Sequence, residues 1–588
     1  MGIRGRPVPV ASDTTLALRW MRECSDNHET CRFTASARIM PTRVIRVPHD
    51  EGSDPWLEDG KGMTDDYVAL SYRWGSANMS KTLTSNLSQH QTAIPLSGLS
   101  KTIREAIDVT RQLGYKYLWV DSLCIIQDSN DDWSREASRM ADVYENAALT
   151  ISASASSSAD SGLFFQQPPT YIVPVIARTI GGKRFSNFSL ALRNCSSFAS
   201  DVQNGQLSSR GWCLQERLLS RRILHFGASQ THWECLSAAW SADYSRLNDS
   251  DASSLSIRKA FQTDLRRSIP KPGPKLLSIV PPELDTSQGL MIWKGTDEEF
   301  AAMKSSEPLE IRQLYGLEPH GTWYRMLLDY SRRELTFPSD KLAALAGLAS
   351  SFGQKTGDVY LNGLWLHGLP EGLLWSSLGL CRRTYERASL FKCPPTKRAP
   401  SWSWASQDGP VVYSSSKYSY VDASVHAYSI PGNPPGKSPA LNSNNPTDDL
   451  NEDIIGTNPS QRLILKACVK PLTSLQGFKP DQRKHLRENK DSRNAQFVPH
   501  AIFDDPNRSY DDIDGVYALF IAQVGCGNRD CDHRNNCETG FAHCLLVLRR
   551  EVDMQGGNRK EVVWERVGVA QCFSGDVGRG MKIFVTLV

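Results

Sequence analysis

At 588 residues the chain is longer than one hydrophobic core usually serves, so at least two domains are expected with an irregular stretch between them. Hydrophobic residues at 40% and charged residues at 22% give an ordinary globular composition, which excludes collagen-like, disordered and membrane-embedded classes. The 67 Lys and Arg against 64 Asp and Glu leave a formal charge of +3, too small a field to draw the chain onto nucleic acid, and no run approaches the roughly 20 apolar residues of a membrane span.

The opening, Met1 to Arg6, has no apolar signal core, and Arg6 stands where a myristoylation motif wants Ser or Thr. A cytoplasmic protein is expected. The fourteen Cys then read as reduced thiols, small core residues or metal ligands rather than disulfides. A helical segment around Leu16 to Met21 belongs to an N-terminal extension, residues 1–59, and runs into Cys24, His28 and Cys31. Those three could begin a metal site, but a structural zinc takes four ligands and no fourth lies nearby in sequence, so local packing is the expected role.

Residues 60–240 read as an α/β domain. Tyr67 to Tyr72 is a short apolar run suited to a central parallel strand, followed by Leu99, Ile103, Ala106, Ile107, Thr110 and Leu113 at helical spacing. Tyr117 to Val120 is a second buried strand, ending on Asp121. From Trp133, the positions Ala137, Met140, Ala141, Tyr144, Ala147 and Ala148 give an amphipathic helix, and Leu149 to Ser152 a third strand. This alternation predicts a parallel sheet flanked by helices. A β-like insert near Tyr171 to Arg193 precedes a short helix over Gly211 to Ser220 and a strand over Arg222 to Phe226. Residues 241–430 read as a mainly helical, Trp-rich region, including a helical pattern over Asp340 to Phe352. Residues 431–461, rich in Pro, Asn, Asp and Gly, read as a flexible insertion, and 462–588 as a β-rich region with strands near 462–469, 515–522, 543–549, 562–570 and 581–587.

In an open parallel sheet, ligands bind beyond the carboxyl ends of the strands. That rule selects Ser71, Tyr72, Arg73, Trp74 and Gly75 after the first strand, Asp121 and Ser122 after the second, and Ser152 to Ser154 after the third. Arg73 suits phosphate oxygens, Trp74 a base or nicotinamide ring, and Asp121 a ribose hydroxyl, which together suggest a nucleotide-like ligand. The other reading of the same residues is that Trp74 and Tyr72 plug the sheet end while Arg73 pairs with a neighbouring carboxylate.

Three segments carry a family resemblance. Tyr67-Val68-Ala69-Leu70-Ser71-Tyr72-Arg73-Trp74-Gly75, then Leu118-Trp119-Val120-Asp121-Ser122-Leu123-Cys124-Ile125-Ile126-Gln127, then Arg210-Gly211-Trp212-Cys213-Leu214-Gln215-Glu216 resemble, in order, the motifs of the fungal heterokaryon-incompatibility (HET) domain. Ile126 departs from the family pattern, which has Asn there. Leu335-Thr336, Gly363-Leu364-Trp365 and Pro400 to Trp404 resemble what longer HET proteins carry beyond the domain. The resemblance implies a fungal protein of non-self recognition that triggers programmed cell death.

The HET domain is in turn remotely similar to TIR domains, which implies a TIR-like sheet. Trp212 to Glu216 resembles the TIR segment whose glutamate serves NAD cleavage. The resemblance thus implies Glu216 as the catalytic carboxylate of an NAD nucleosidase, stabilising oxocarbenium character at the ribose, with Ser71, Tyr72, Arg73, Trp74, Gly75, Asp121 and Trp212 shaping the pocket. Glu136 is the alternate carboxylate. Helical geometry puts Leu214 and Leu218 on one face of the 212–219 segment and Glu216 on about the opposite one, toward solvent or a cleft.

Cys526, Cys531, Cys537 and Cys544 are weaker metal candidates, since none has the usual C-x2-C spacing. Cys213 with His225 or His232 is a weaker thiol-nucleophile candidate. Two functions therefore stand side by side. One is an enzyme with NAD as substrate and no required cofactor. The other is a non-enzymatic module that assembles with copies of itself or with other HET or TIR-like signalling proteins. Burial of Glu216 against an arginine, away from a cleft, would favour the module.

Overall fold

The computed structural model describes residues 14–32, 39–75, 80–165, 170–175, 188–193, 196–243, 258, 261, 284–285, 290–292, 319–358, 360–369, 371–377, 394, 397–413, 420–421, 424–429, 462–475, 500–504, 515–524, 541–553, 560–573 and 583–588. The chain divides into two compact units, residues 1–266 with 333–335, and residues 267–332 with 336–588.

The strands of the first unit are β1 (Arg43–Arg46), β2 (Trp56–Asp59), β3 (Val68–Ser71), β4 (Tyr117–Trp119), β5 (Leu149–Ser152), β6 (Thr170–Val175), β7 (Phe188–Arg193), β8 (Arg222–Phe226), β9 (Thr231–Cys235) and β10 (Ala239–Ser241). Its helices are α1 (Thr15–Asn27), α2 (Leu87–Thr92), α3 (Lys101–Gln112), α4 (Asp121–Cys124), α5 (Asn130–Asn146) and α6 (Trp212–Leu219). Eight strands form one sheet in the order β10-β9-β8-β5-β3-β4-β1-β2, with β6 and β7 paired apart as an antiparallel hairpin.

The central strands β8, β5, β3 and β4 are mutually parallel. Every residue of β3, β4, β5 and β8 is buried, as expected of strands covered on both faces. The edges differ from the all-parallel sheet predicted from sequence. β1 and β2 add antiparallel beside β4, and β9 and β10 add antiparallel beside β8, so the sheet is mixed. The reason is local: β8 to β9 and β9 to β10 are joined by connections too short for a crossover, which only antiparallel pairing permits.

Helix α3 buries Ile103, Ala106, Ile107 and Val109 along one stripe and stops at Gly114, whose φ of +82° lets the amides of Gly114 and Tyr115 return to the carbonyls of Arg111 and Thr110. Helix α5 begins on the Ser129 hydroxyl, which accepts from the Asp132 amide, with Asp131 and Asp132 in the first turn where the helix dipole favours acids. The buried Asp132 also pairs with Arg43 of β1, tying that edge strand to α5.

The second unit holds the strands expected of the tail. Leu463–Ala467, Val516–Val524, Phe541–Asp553, Lys560–Phe573 and Ile583–Leu587 lie in one sheet, which also recruits Leu290–Ile292 and Ser424–Ser429 from the region read as mainly helical. Helices Pro319–Tyr330 and Ala346–Thr356 supply Trp323 and Phe352 to an aromatic cluster around Trp365, with ring centroids 5.1 and 4.5 Å from that indole. The fully buried Arg566 stacks 3.3 Å over the Trp375 ring and pairs with Asp504 at 2.9 Å. The insertion expected over 431–461 lies outside the described residues.

Gly75 closes the turn that leaves β3. Its φ is +84°, and a Cβ there would lie 2.8 Å from the Cβ of Ser158. Gly75→Ala therefore meets both a backbone penalty and a clash, and should lower the unfolding free energy by about 1–3 kcal/mol, read from denaturant melts of the full chain against the parent.

Candidate functional site

The parallel strands end on side chains that point at one another rather than into an open cleft. The Ser71 hydroxyl, at the end of β3, donates to the Glu216 carboxylate on α6. The indole of Trp74 donates to Asp121 Oδ2 at 2.8 Å, and the Tyr72 hydroxyl donates to Ser122 Oγ at 2.9 Å. Arg210 donates to the Tyr72 carbonyl at 2.7 Å. Residues from all three sequence motifs thus meet in a single polar cluster.

Two carboxyls in this cluster are buried, and the low dielectric disfavours their charged forms. Burial pushes the Glu216 carboxyl above its usual range, against the pull of Arg210 and the Ser71 hydrogen bond. Burial likewise raises Asp121, opposed by Arg210 and the Trp74 indole. Burial alone would weaken the Arg210 charge, but Cys213, Glu216 and Asp121 hold the guanidinium protonated and shift it upward.

Glu216 is 5% exposed, so it is not a solvated helix carboxylate. The expected outward orientation fails because α6 has buried side chains almost all round: Cys213, Leu214, Gln215, Glu216, Leu218 and Leu219. A helix covered on several sides has no polar face to assign from periodicity. Arg73 stands apart from Glu216. Its guanidinium, 31% exposed, pairs with Glu334 at 3.3 Å and reaches Ser209 at 3.4 Å. Trp212, at the start of α6, is partly exposed. Glu136 is buried on α5 with Arg135 3.5 Å from it, an ion pair. Cys544 is buried in the core of the second unit, while Cys526, Cys531 and Cys537 lie outside the described residues.

A cavity of about 20 Å3 lies beside the cluster, lined by Ser71, Ser152, Ser154, Cys213, Arg217 and His225 among others. That is room for about one water, against the roughly 300–1,000 Å3 of pockets that take small-molecule ligands. Sequence reasoning did not single out the polar chain on its wall. Glu234, fully buried on β9, accepts from Arg217 at 2.9 and 3.0 Å and from His225 Nε2 at 3.0 Å, with Arg258 3.7 Å away. Since Nε2 carries the proton toward Glu234, Nδ1 accepts from the Ser154 hydroxyl at 3.1 Å. Burial lowers His225 to about 4, so its ring is neutral near pH 7.

This serine, histidine and glutamate line up as a proton relay does. A second chain of the same design runs alongside, with Asp201 2.9 Å from His232 Nε2 and Ser241 2.8 Å from His232 Nδ1. The Phe198 ring stands edge-on to both imidazoles. Two such chains in one sheet edge, both buried, are the mark of a satisfied polar layer more than of a nucleophile. Burial and Glu216 push the Cys213 thiol up, away from the thiolate form, and both histidines are hydrogen-bonded to other groups.

A peptide segment from far along the chain completes the unit. The Gly211 amide donates to the Glu334 carbonyl at 2.8 Å and the Glu334 amide to the Ser209 carbonyl at 2.6 Å, a parallel bridge placed directly before α6.

The two buried glutamates should respond to pH in opposite ways. Glu216, raised by burial, contributes stability that is full below its unfolded value and is lost as pH rises through its folded value. For Glu234, burial is outweighed by Arg217, Arg258 and His225, which hold it well below its usual range. Its contribution is present above the unfolded value and is lost as pH falls. Accordingly, Glu216→Gln should gain in melting temperature relative to the parent as pH rises from about 4 to about 8. Glu234→Gln should lose ground only as pH rises to about 5 and then run parallel to the parent, and Glu234→Ala should cost about 3–5 kcal/mol by stranding buried arginine charge.

Residues 67–216 match the family model described as heterokaryon incompatibility protein (HET). The chain is also 33% identical over 92 residues to heterokaryon incompatibility protein 6, OR allele, of Neurospora crassa, a match covering 14% of this chain and 14% of that protein. The shared stretch is thus a small part of either protein. No solved structure matches the chain.

Proposed function

From the HET domain that residues 67–216 form, we infer a protein of fungal non-self recognition whose domain acts as a signalling module in programmed cell death. The observation that carries the module reading is that the motif side chains are engaged with one another. Ser71 serves Glu216, Trp74 serves Asp121, and the charge of Arg210 acts on both carboxyls. Groups committed in this way hold a fold or set its alternatives, and the adjoining cavity admits about a water.

Assembly with other copies, or with other HET or TIR-like signalling domains, then falls to the surface around the cluster. Arg73 and Glu334, 31% and 71% exposed, lie at its rim and form a pair that a partner's charges could exchange. Exposed pairs of this kind contribute little to stability, so their loss costs the fold little.

A second reading rests on one feature. Glu216 is a carboxyl with a raised proton affinity beside a serine-lined cavity, which are properties of an acid catalyst. NAD cleavage at Glu216 would require α6 and the 71–75 turn to separate before a dinucleotide could enter.

Inducible expression of the full chain in a filamentous fungus, with NAD content followed alongside growth, distinguishes the two. The module predicts growth arrest with NAD constant until death, arrest retained in Glu216→Gln, and arrest weakened at least severalfold in Arg73→Ala. A fall in NAD before arrest, with both lost in Glu216→Gln, would establish the enzyme instead. No arrest from soluble, folded parent would remove the cell-death reading.

A further inference from the structure

The N-terminal helix and the end of β9 bring four soft-metal ligands together. Cys24 lies in the last turn of α1, His28 caps that helix, Cys31 ends the following turn, and Cys235 closes β9. Their ligand atoms, three Sγ and one imidazole nitrogen, all lie within 4.8 Å of one another. His28 Nδ1 is 3.4 Å from Cys235 Sγ, although the two residues are 207 positions apart. Two ligands of one tetrahedral zinc, at about 2.3 Å for sulfur and about 2.1 Å for nitrogen, sit about 3.6 Å apart. The cage is therefore already near its filled size.

We propose that Cys24, His28, Cys31 and Cys235 bind one zinc ion in a closed tetrahedral site that ties the N-terminal helix to the antiparallel edge of the sheet.

Three further features fit a metal better than packed thiols. All three cysteines are free and buried, the chemical state a thiolate ligand needs. Zinc with three thiolates and a neutral imidazole carries a net single negative charge. Buried Arg222 supplies the balancing positive one, with its Nε 3.3 Å from Cys24 Sγ and its Nη2 donating to the Cys31 carbonyl at 2.9 Å. The His28 ring is also held in place, packed against Trp240 with centroids 5.7 Å apart, which fixes the direction of its nitrogen. Four protein ligands leave no open position, so the ion braces the fold and takes no part in chemistry.

The test is elemental analysis of the full-length protein purified without chelator, with X-ray absorption at the zinc edge. The expected result is a zinc bound by three sulfurs and one nitrogen. One equivalent should be lost in Cys235→Ser and kept in His28→Cys, which still offers four ligands. Because Cys531→Ser/Cys537→Ser removes thiols from a different part of the chain, it should keep that equivalent too. Cobalt(II) loading reads the same site without relying on a folded variant, through the absorption of a tetrahedral thiolate complex. Folded protein without zinc would overturn the proposal. So would zinc unchanged in Cys235→Ser, or a disulfide among Cys24, Cys31 and Cys235 in protein alkylated before reduction.

Discussion

The Arg210 guanidinium pulls on two carboxyls, Asp121 and Glu216, that burial pushes toward their neutral forms, and three distant chain segments meet at that balance. A charge removed from water must find partners within reach, and each segment supplies some of them. The turn after β3 brings Ser71 and Trp74, the start of α4 brings Asp121, and the entry to α6 brings Arg210 and Glu216. Removing one member leaves the others in a medium that cannot solvate them. The spacing of the motifs along the chain follows from the sheet, since each sits where a parallel strand ends or where the next helix begins.

The same logic extends to the antiparallel edge. Glu234 and Asp201 each hold a histidine whose other nitrogen meets a serine, and Phe198 stands edge-on to both rings. Hydrogen-bonded chains of this type fix side-chain orientation and make a strand's register costly to change. The edge is thus built to stay where it is, while the rim formed by Arg73 and Glu334 is the more adjustable part of the unit.

Much of this was legible in the sequence, for identifiable reasons. Val68–Ser71, Tyr117–Trp119, Leu149–Ser152 and Arg222–Phe226 announced themselves because strands buried on both faces have little room for polar residues. The five tail strands were visible through their β-branched and aromatic runs. Arg43–Arg46 was missed: two buried residues between two arginines give too short a pattern to distinguish a strand from a loop. The direction of Glu216 was misjudged because helical periodicity assumes one wet face, and α6 lacks one. Cys235 could not be joined to Cys24, His28 and Cys31 by spacing, since only the strand order carries it back to the N-terminal helix. His225 stood out in the sequence only as a partner for Cys213, and its pairing with Glu234 was not legible. Their mutual contact comes from β8 and β9 lying side by side, which pairing shows and composition does not.

The strand-like bridge between Arg210 and Glu334 has a consequence for where the folding unit ends. The stretch recognisable by family ends at residue 216, yet the peptide that satisfies the Gly211 amide lies more than a hundred residues beyond it. The segment that matches the family model and the folding unit therefore have different boundaries. A segment cut out at residues 67–216 would carry the three motifs but leave their backbone partner at 333–335 behind. That remote tripeptide therefore sets where the chain can be cut without opening the entry to α6.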